Sequence, residues 1–259
     1  MRIVFSFVFF VTCAVMGVRA HADDAPTDAA PTDQPPAAST TTVPRPWKDT
    51  GEFSVVSANG NSRTNTISAK ETFDYNWAKN LLELGGSGLG SNSGRQVTSE
   101  QYHAGEKIRH SLIGDNFVME QFSWDKNRFA GIQSQYSSTG GLGRTLFTFS
   151  RDKLTTEFGG GYTFEEHTDG THDDFPSGRA YAKYVHTLSP TASFTQDAEY
   201  LHNFNNYKDY RLNTETALIA SLTAHLSLKA SYTWKRAAEP PIGFGKDDTI
   251  TSVAMLINY

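Results

Sequence analysis

From Trp47 to the last residue, apolar and polar side chains alternate one by one. Residues 153–166 show this most cleanly. Leu154, Thr156, Phe158, Gly160, Tyr162 and Phe164 fall on one face, and Thr155, Glu157, Gly159, Gly161, Thr163 and Glu165 on the other. Residues 224–236 repeat the pattern, with Leu226, Leu228, Ala230, Tyr232 and Trp234 opposed to His225, Ser227, Lys229, Ser231, Thr233 and Lys235. A period of two is that of a strand with one apolar and one polar face. Twelve such segments follow one another: 48–59, 63–76, 80–91, 98–112, 116–126, 128–149, 153–166, 177–188, 191–203, 207–220, 224–236 and 247–259. Globular strands average roughly 5–6 residues, whereas tilted strands that cross a bilayer need roughly 9–11. Length therefore predicts an all-β fold, a transmembrane up-and-down antiparallel barrel of twelve strands over residues 47–259, rather than a secreted β-sandwich. The segment 128–149 is too long for one regular strand, and Gly140, Gly141 and Gly143 are expected to bend it.

The connections alternate as well. Those holding Ala78, Gly114-Asp115, Arg151-Asp152, Ser189-Pro190 and Thr223 are short and rich in turn formers. Three on the opposite side, 92–97, 167–176 and 237–246, read as longer loops. Tight turns at one end and longer loops at the other are the outer-membrane arrangement. Aromatics near strand ends, among them Trp47, Tyr75, Trp77, Trp124, Tyr232, Trp234 and Tyr259, suit interfacial girdles.

Ahead of this region stand two segments of other character. Met1-Arg2 and the apolar run Ile3–Val18 precede Ala20-His21-Ala22, a small-residue cleavage pattern, so residues 1–22 read as a signal peptide. Residues 23–46, rich in proline, alanine and threonine, bury too little apolar area to offset ordering entropy and read as a disordered periplasmic linker. The only cysteine is Cys13, inside the apolar run, so a chain cleaved after it has no disulfide or thiolate chemistry. After residue 22 no apolar stretch approaches the roughly 18 residues of a membrane helix. A net charge of −5 carries no basic field for nucleic acid.

Several stretches together resemble the YdiY-like salt-induced outer membrane proteins, a family of unknown function. They are Trp47 with Gly60-Asn61, the run Trp124-Asp125-Lys126-Asn127-Arg128-Phe129-Ala130-Gly131-Ile132, the segment Gly140-Gly141-Leu142-Gly143, and the strand Glu157-Phe158-Gly159-Gly160-Gly161-Tyr162. The resemblance spans roughly residues 47–259 and implies a membrane barrel with no agreed activity. At the C-terminus Thr251, Val253, Met255, Ile257 and Tyr259 alternate up to a final aromatic residue. This resembles the signal read by the barrel assembly machinery, which joins the outer-membrane bilayer as an expected partner.

On the inward face lie Lys70 and Asp74, Lys107 and Arg109, Glu157 and Glu165, Arg179 and Lys183, Asp197 and Glu199, Arg211 and Glu215, and Lys229 and Lys235. Mixed signs can cross-link a lumen, and twelve strands lie between a side-chain-filled eight-strand barrel and an open porin. The expectation is a structural, envelope-related barrel with a narrow or plugged lumen. A narrow small-solute channel and a barrel hydrolase stand as alternatives. Glu71, Glu106 and His110 fall on lipid faces, through a slipped register or a position near an interface. Ser91-Asn92-Ser93-Gly94-Arg95 resembles the serine stretch of outer-membrane phospholipases but lacks its histidine. His167, His172, Asp173 and Asp174 share one expected loop without the spacing of a metal site. No catalytic, cofactor-binding or metal-ligating residue is assigned, and no cofactor is expected.

Overall fold

A computed structural model describes residues 45–59, 63–94 and 96–259. The expected signal peptide and nearly all of the expected linker therefore lie outside the described residues. Twelve antiparallel strands follow in chain order: β1 (Trp47–Asn59), β2 (Arg63–Trp77), β3 (Asn80–Ser93), β4 (Gln96–Ser111), β5 (Asn116–Asn127), β6 (Ile132–Thr148), β7 (Asp152–His167), β8 (His172–Ser189), β9 (Ala192–Asn203), β10 (Tyr210–Ser221), β11 (Leu226–Ala237) and β12 (Asp247–Asn258). Each pairs with its chain neighbours, and β12 returns to β1, closing a barrel. Closure leaves no free sheet edge, so every backbone polar group of a spanning strand can be satisfied inside the wall.

Burial is inverted relative to a water-soluble protein. Phe158 is 65% exposed while its neighbour Glu157 is wholly buried. Along β11, Leu228 lies exposed and Lys229 buried. The buried polar residues, including Thr139, Thr163, Glu165, Ser177, Arg179 and Ser231, outnumber the buried apolar ones. The apolar medium is therefore outside the wall, and the polar core is the lumen.

The long segment at 128–149 resolves differently from expectation. Asn127 accepts a bond from the Ala130 amide and caps a short 3-10 turn, Arg128–Ala130, which ends on Gly131 at φ 82°. β6 then keeps an unbroken register through Gly140, Gly141 and Gly143, and its register shifts against β7 fall near Ser134 and Thr145. Gly141 and Gly143 make room for groups on neighbouring strands, whereas a side chain at Gly140 would meet nothing within 4 Å. A side chain at Gly143 would enter the space of the Phe117 ring, and one at Gly141 would meet the Phe158 carbonyl.

Two of the three expected loops also shorten. β3 ends at Ser93 and β4 begins at Gln96. β7 and β8 stay paired out to Glu166 and His172, which leaves only residues 168–171 as their turn. Polar residues such as His172, Asp173 and Asp174 have loop chemistry, yet a hairpin that projects into water keeps its ladder with the same residue types. The third loop, 238–246, is the longest connection at its end, which is called the loop end below. The opposite, turn end carries the short connections near Ala78 and Gly114.

Closure rests on a short seam. β1 and β12 share four residue pairs, Thr50–Asn258 to Phe53–Met255, against 11 to 15 for every other neighbouring pair. The Tyr259 amide extends the seam by donating to the Asp49 carbonyl at 3.1 Å, and the Ser54 hydroxyl donates to the Val253 carbonyl at 2.8 Å.

There is no register slip at Glu71 or Glu106. Glu106 lies opposite Leu84 and Phe122, and Glu71 opposite Gly51 and Gly86, all on the outer face. His110 also faces outward, one residue from the end of β4, where its Nδ1 lies 2.8 Å from the Asn80 amide oxygen.

Candidate functional site

The functional candidate is the lumen. Its central group is Glu157 on β7, whose side chain is inaccessible to water. Three cations converge on its carboxylate: Lys107 at 3.2 Å and Arg109 at 3.2 Å from β4, and Arg179 at 2.8 Å from β8. Lys107 and Arg109 also hold Glu83 on β3, and the Arg179 Nε donates to Glu199 on β9 at 2.6 Å. β5 and β6 intervene between Lys107 and Glu157. The side chains can meet there because Gly141, Gly143 and Gly159 leave space over which Met119 and Phe117 lie flat. Arg109 stacks on Phe117 at 5.2 Å and Arg179 on Tyr181 at 4.8 Å. Burying this carboxylate without partners would be costly, and the three charge-assisted contacts offset that cost.

A second cluster joins strands on either side of the seam. Lys229 on β11 reaches Glu52 on β1 at 3.0 Å and Glu215 on β10 at 2.8 Å. It straddles the four-pair seam with an ion pair and supports closure where the backbone ladder is short.

The third set lies toward the loop end and crosses the bore. Arg211 on β10 donates to Glu165 on β7 at 2.6 Å and to the Gln135 side chain on β6. Lys235 on β11 donates to Gln101 on β4 at 3.3 Å. Round the ring those two strands are joined through β3, β2, β1 and β12, so this bond runs close to a diameter. Glu165 also binds His167 Nε2 at 2.7 Å, and His167 Nδ1 lies 3.0 Å from the Thr171 hydroxyl. Thr171 donates its hydroxyl and its amide to Asp169, and these bonds hold that turn carboxylate below the usual range. The turn is thereby tied to the lumen network.

Over the same end lies the loop 238–246. It leaves β11 and enters β12, yet it reaches Gly131 between β5 and β6 on the far side of the ring. A Cβ on Gly131 would stand 2.8 Å from Pro241 and 2.9 Å from the Phe244 ring. The Asn206 amide donates to Glu239 at 2.6 Å, and the Ala238 amide to the Tyr210 carbonyl at 2.9 Å. Part of the bore is more open. Lys70 and Lys183 point inward and are exposed, with no carboxylate within 4.0 Å among the described residues.

Every charged residue assigned inward from the sequence points inward. Sequence reasoning missed Glu52, Glu83, Gln101 and Gln135, whose strands mix small and polar residues on both faces. The alternation itself could have placed them. Nothing local signals Pro241 and Phe244 as mouth-spanning groups. Among the described residues, no three of His, Cys, Asp or Glu gather in a way that could hold a metal ion. His167 joins the Glu165 network rather than His172, Asp173 or Asp174. Ser91 bonds Thr66 at 2.9 Å and Thr98 at 3.3 Å, and no histidine bonds to it among the described residues. The His110–Asn80 pair on the outer face has no serine hydroxyl bonded to it among the described residues.

With this geometry in hand, comparison with known proteins adds three findings. The family described as "Protein of unknown function, DUF481" matches residues 51–259. The uncharacterized protein YdiY of Escherichia coli (strain K12) is 26% identical over 197 residues, covering 76% of this chain and 77% of YdiY. An outer membrane channel from Pseudomonas putida F1 superposes with a TM-score of 0.52 at 9% identity, over 88% of this chain and 100% of that one. At that identity the likeness concerns the fold alone: a closed barrel of the outer-membrane type.

Proposed function

The chain belongs to the DUF481 family of proteins of unknown function, and from that premise we propose that it is a structural barrel of the outer membrane whose bore is closed to solutes at rest. The observation that carries this reading is the set of side-chain bonds across the bore toward the loop end, above all Lys235 to Gln101 between nearly opposite strands. A conducting pore needs a continuous water column, and here polar side chains satisfy one another where that column would run. No catalytic role is proposed. Residues 1–22 act as the export signal and residues 23–46 as a periplasmic tether in this reading, with the turn end facing the periplasm.

Conductance tests the proposal. The protein, folded in detergent and inserted into a planar lipid bilayer, is expected to leave the membrane at baseline current. Heat-modifiable gel migration confirms that the barrel is closed. Stable current steps from the unmodified chain would overturn the reading in favour of a narrow small-solute channel. The exposed inward Lys70 and Lys183 favour that second reading, because the bore around them has room for water and counter-ions.

The last strand is proposed to engage the barrel assembly machinery. Support comes from its alternation up to Tyr259 and from the seam, to which the Tyr259 amide adds a bond. Deleting Tyr259 is expected to block insertion in cells while leaving refolding into detergent largely intact. Failure in both settings would assign the residue to the seam alone, and normal insertion in cells would remove it from either role.

A further inference from the structure

We propose that the β11–β12 connection, residues 238–246, is a hinged lid that seals the loop end of the bore. This rests on the reading of the bore as closed and adds which element opens it. The loop starts and ends on adjacent strands, so nothing in the barrel ladder obliges it to leave their rim. It nevertheless crosses the mouth and sets Pro241 and Phe244 on Gly131 at the opposite rim. Gly131 suits this landing in two ways. Its φ of 82° favours glycine, and its missing side chain is the space that the two rings use.

The lid is held lightly. Among the described residues, its hydrogen bonds beyond the two strands it connects are the Asn206–Glu239 bond and the Ala238–Tyr210 bond near its root. The Phe244 amide donates to the Pro241 carbonyl at 3.1 Å, so the tip moves as one turn. Gly243, at φ 94°, shapes that turn and Gly245 follows it, and neither has a neighbour that a side chain would meet within 4 Å. Gly245, between the tip turn and β12, has the free space to absorb the backbone change of a hinge. Ile242 at the tip is fully exposed. Few contacts and an exposed backbone are the marks of a segment that opens without unfolding the rest. Beneath it, the Arg211 and Lys235 bonds span the bore from strands β10 and β11, and Tyr210 and Ala237 next to them bond the ends of the same loop. Lid and network are therefore joined at their roots.

Cysteine accessibility tests the lid in the full chain, expressed in cells and treated from outside with a small membrane-impermeant methanethiosulfonate. The parent chain, whose only cysteine is Cys13, serves as the blank. Ser137→Cys places a thiol in the bore below the lid, Lys183→Cys one at an exposed inward position deeper toward the turn end, and Ile242→Cys one on the tip. Each is made with and without Pro241→Ala/Phe244→Ala, and heat-modifiable migration checks folding. Ile242→Cys is expected to react fast in both backgrounds. Ser137→Cys is expected to react roughly 10-fold or more slowly behind the intact lid, since access then waits on a minor open state. Equal rates for Ser137→Cys in the two backgrounds overturn the lid. If Ser137→Cys reacts fast in the parent while Lys183→Cys stays slow, the lid fails and the closed bore stands. If both react fast behind the intact lid, the closed bore itself fails.

Discussion

Glu157→Leu is expected to be the most damaging single change in the lumen. It leaves Lys107, Arg109 and Arg179 with one carboxylate fewer among them, in a place that water does not reach. Removing one partner of a buried ion pair costs about 3–5 kcal/mol, because the charge left behind keeps its desolvation cost and loses its compensation. Urea unfolding in lipid bilayers, or the temperature at which gel migration changes, reads the loss. Glu199→Gln is the informative comparison. Glu199 binds the same Arg179, but its side chain is 25% exposed, so water stands in for part of what is removed and the cost drops to about 1 kcal/mol or less. If the two substitutions prove equally mild, the Glu157 cluster is wetter than the geometry implies. The idea that it braces β4 against β7 and β8 would then fail.

The second large effect is steric, and it separates two adjacent glycines. Gly161 faces the bore at a point where β6 and β7 approach closely. A methyl group there would run into the carbonyl of Ser138 and stand 2.8 Å from the Thr139 Cα. Both obstacles are backbone, so no rotamer change relieves them and the two strands have to part. Overpacking of this kind costs typically 1–3 kcal/mol and sometimes more. In a barrel it also disturbs closure, because parting one pair shifts every partner round the ring. Gly161→Ala is therefore expected to lower the yield of heat-resistant folded barrel sharply. Gly160→Ala points outward, where the nearest atom is the Ser177 carbonyl at 3.8 Å, and is expected to be neutral or slightly favourable. A reversed order, or equal tolerance, would refute the packing between β6 and β7 described above.

These two positions also show how far the sequence could be read. The run 157–161 alternates plainly, and that alone sends Glu157, Gly159 and Gly161 inward and Phe158 and Gly160 outward, as the barrel has them. It does not say why the inward glycines are there. Gly140, Gly141 and Gly143 look like a bend because glycine often marks one. For Gly141 and Gly143 the reason lies on other strands: the Phe117 ring, the Met119 methyl and the carbonyl of Phe158 occupy the space. The loops show the same limit. His172, Asp173 and Asp174 have the composition of a loop, and only their pairing with β7 makes them part of a strand. At Glu71 and Glu106 the alternation holds through both neighbouring strands, with both carboxylates on the outer face.

What the sequence by itself determined is the number of strands, the phase of each, and therefore which side chains face the bore and which face lipid. These follow from a period of two that is local to each segment, and from a bilayer that demands an apolar outer face along every strand. Only the tertiary structure decided which inward charge meets which. Lys235 and Gln101 are 134 residues apart, and Lys229 and Glu52 are 177. Their meeting depends on where the ring closes and how far each strand is staggered against the next. That stagger is a sum over twelve registers, and no single segment of the chain carries it. The same holds for Pro241 and Phe244 on Gly131, which the rim brings together only after the barrel has closed.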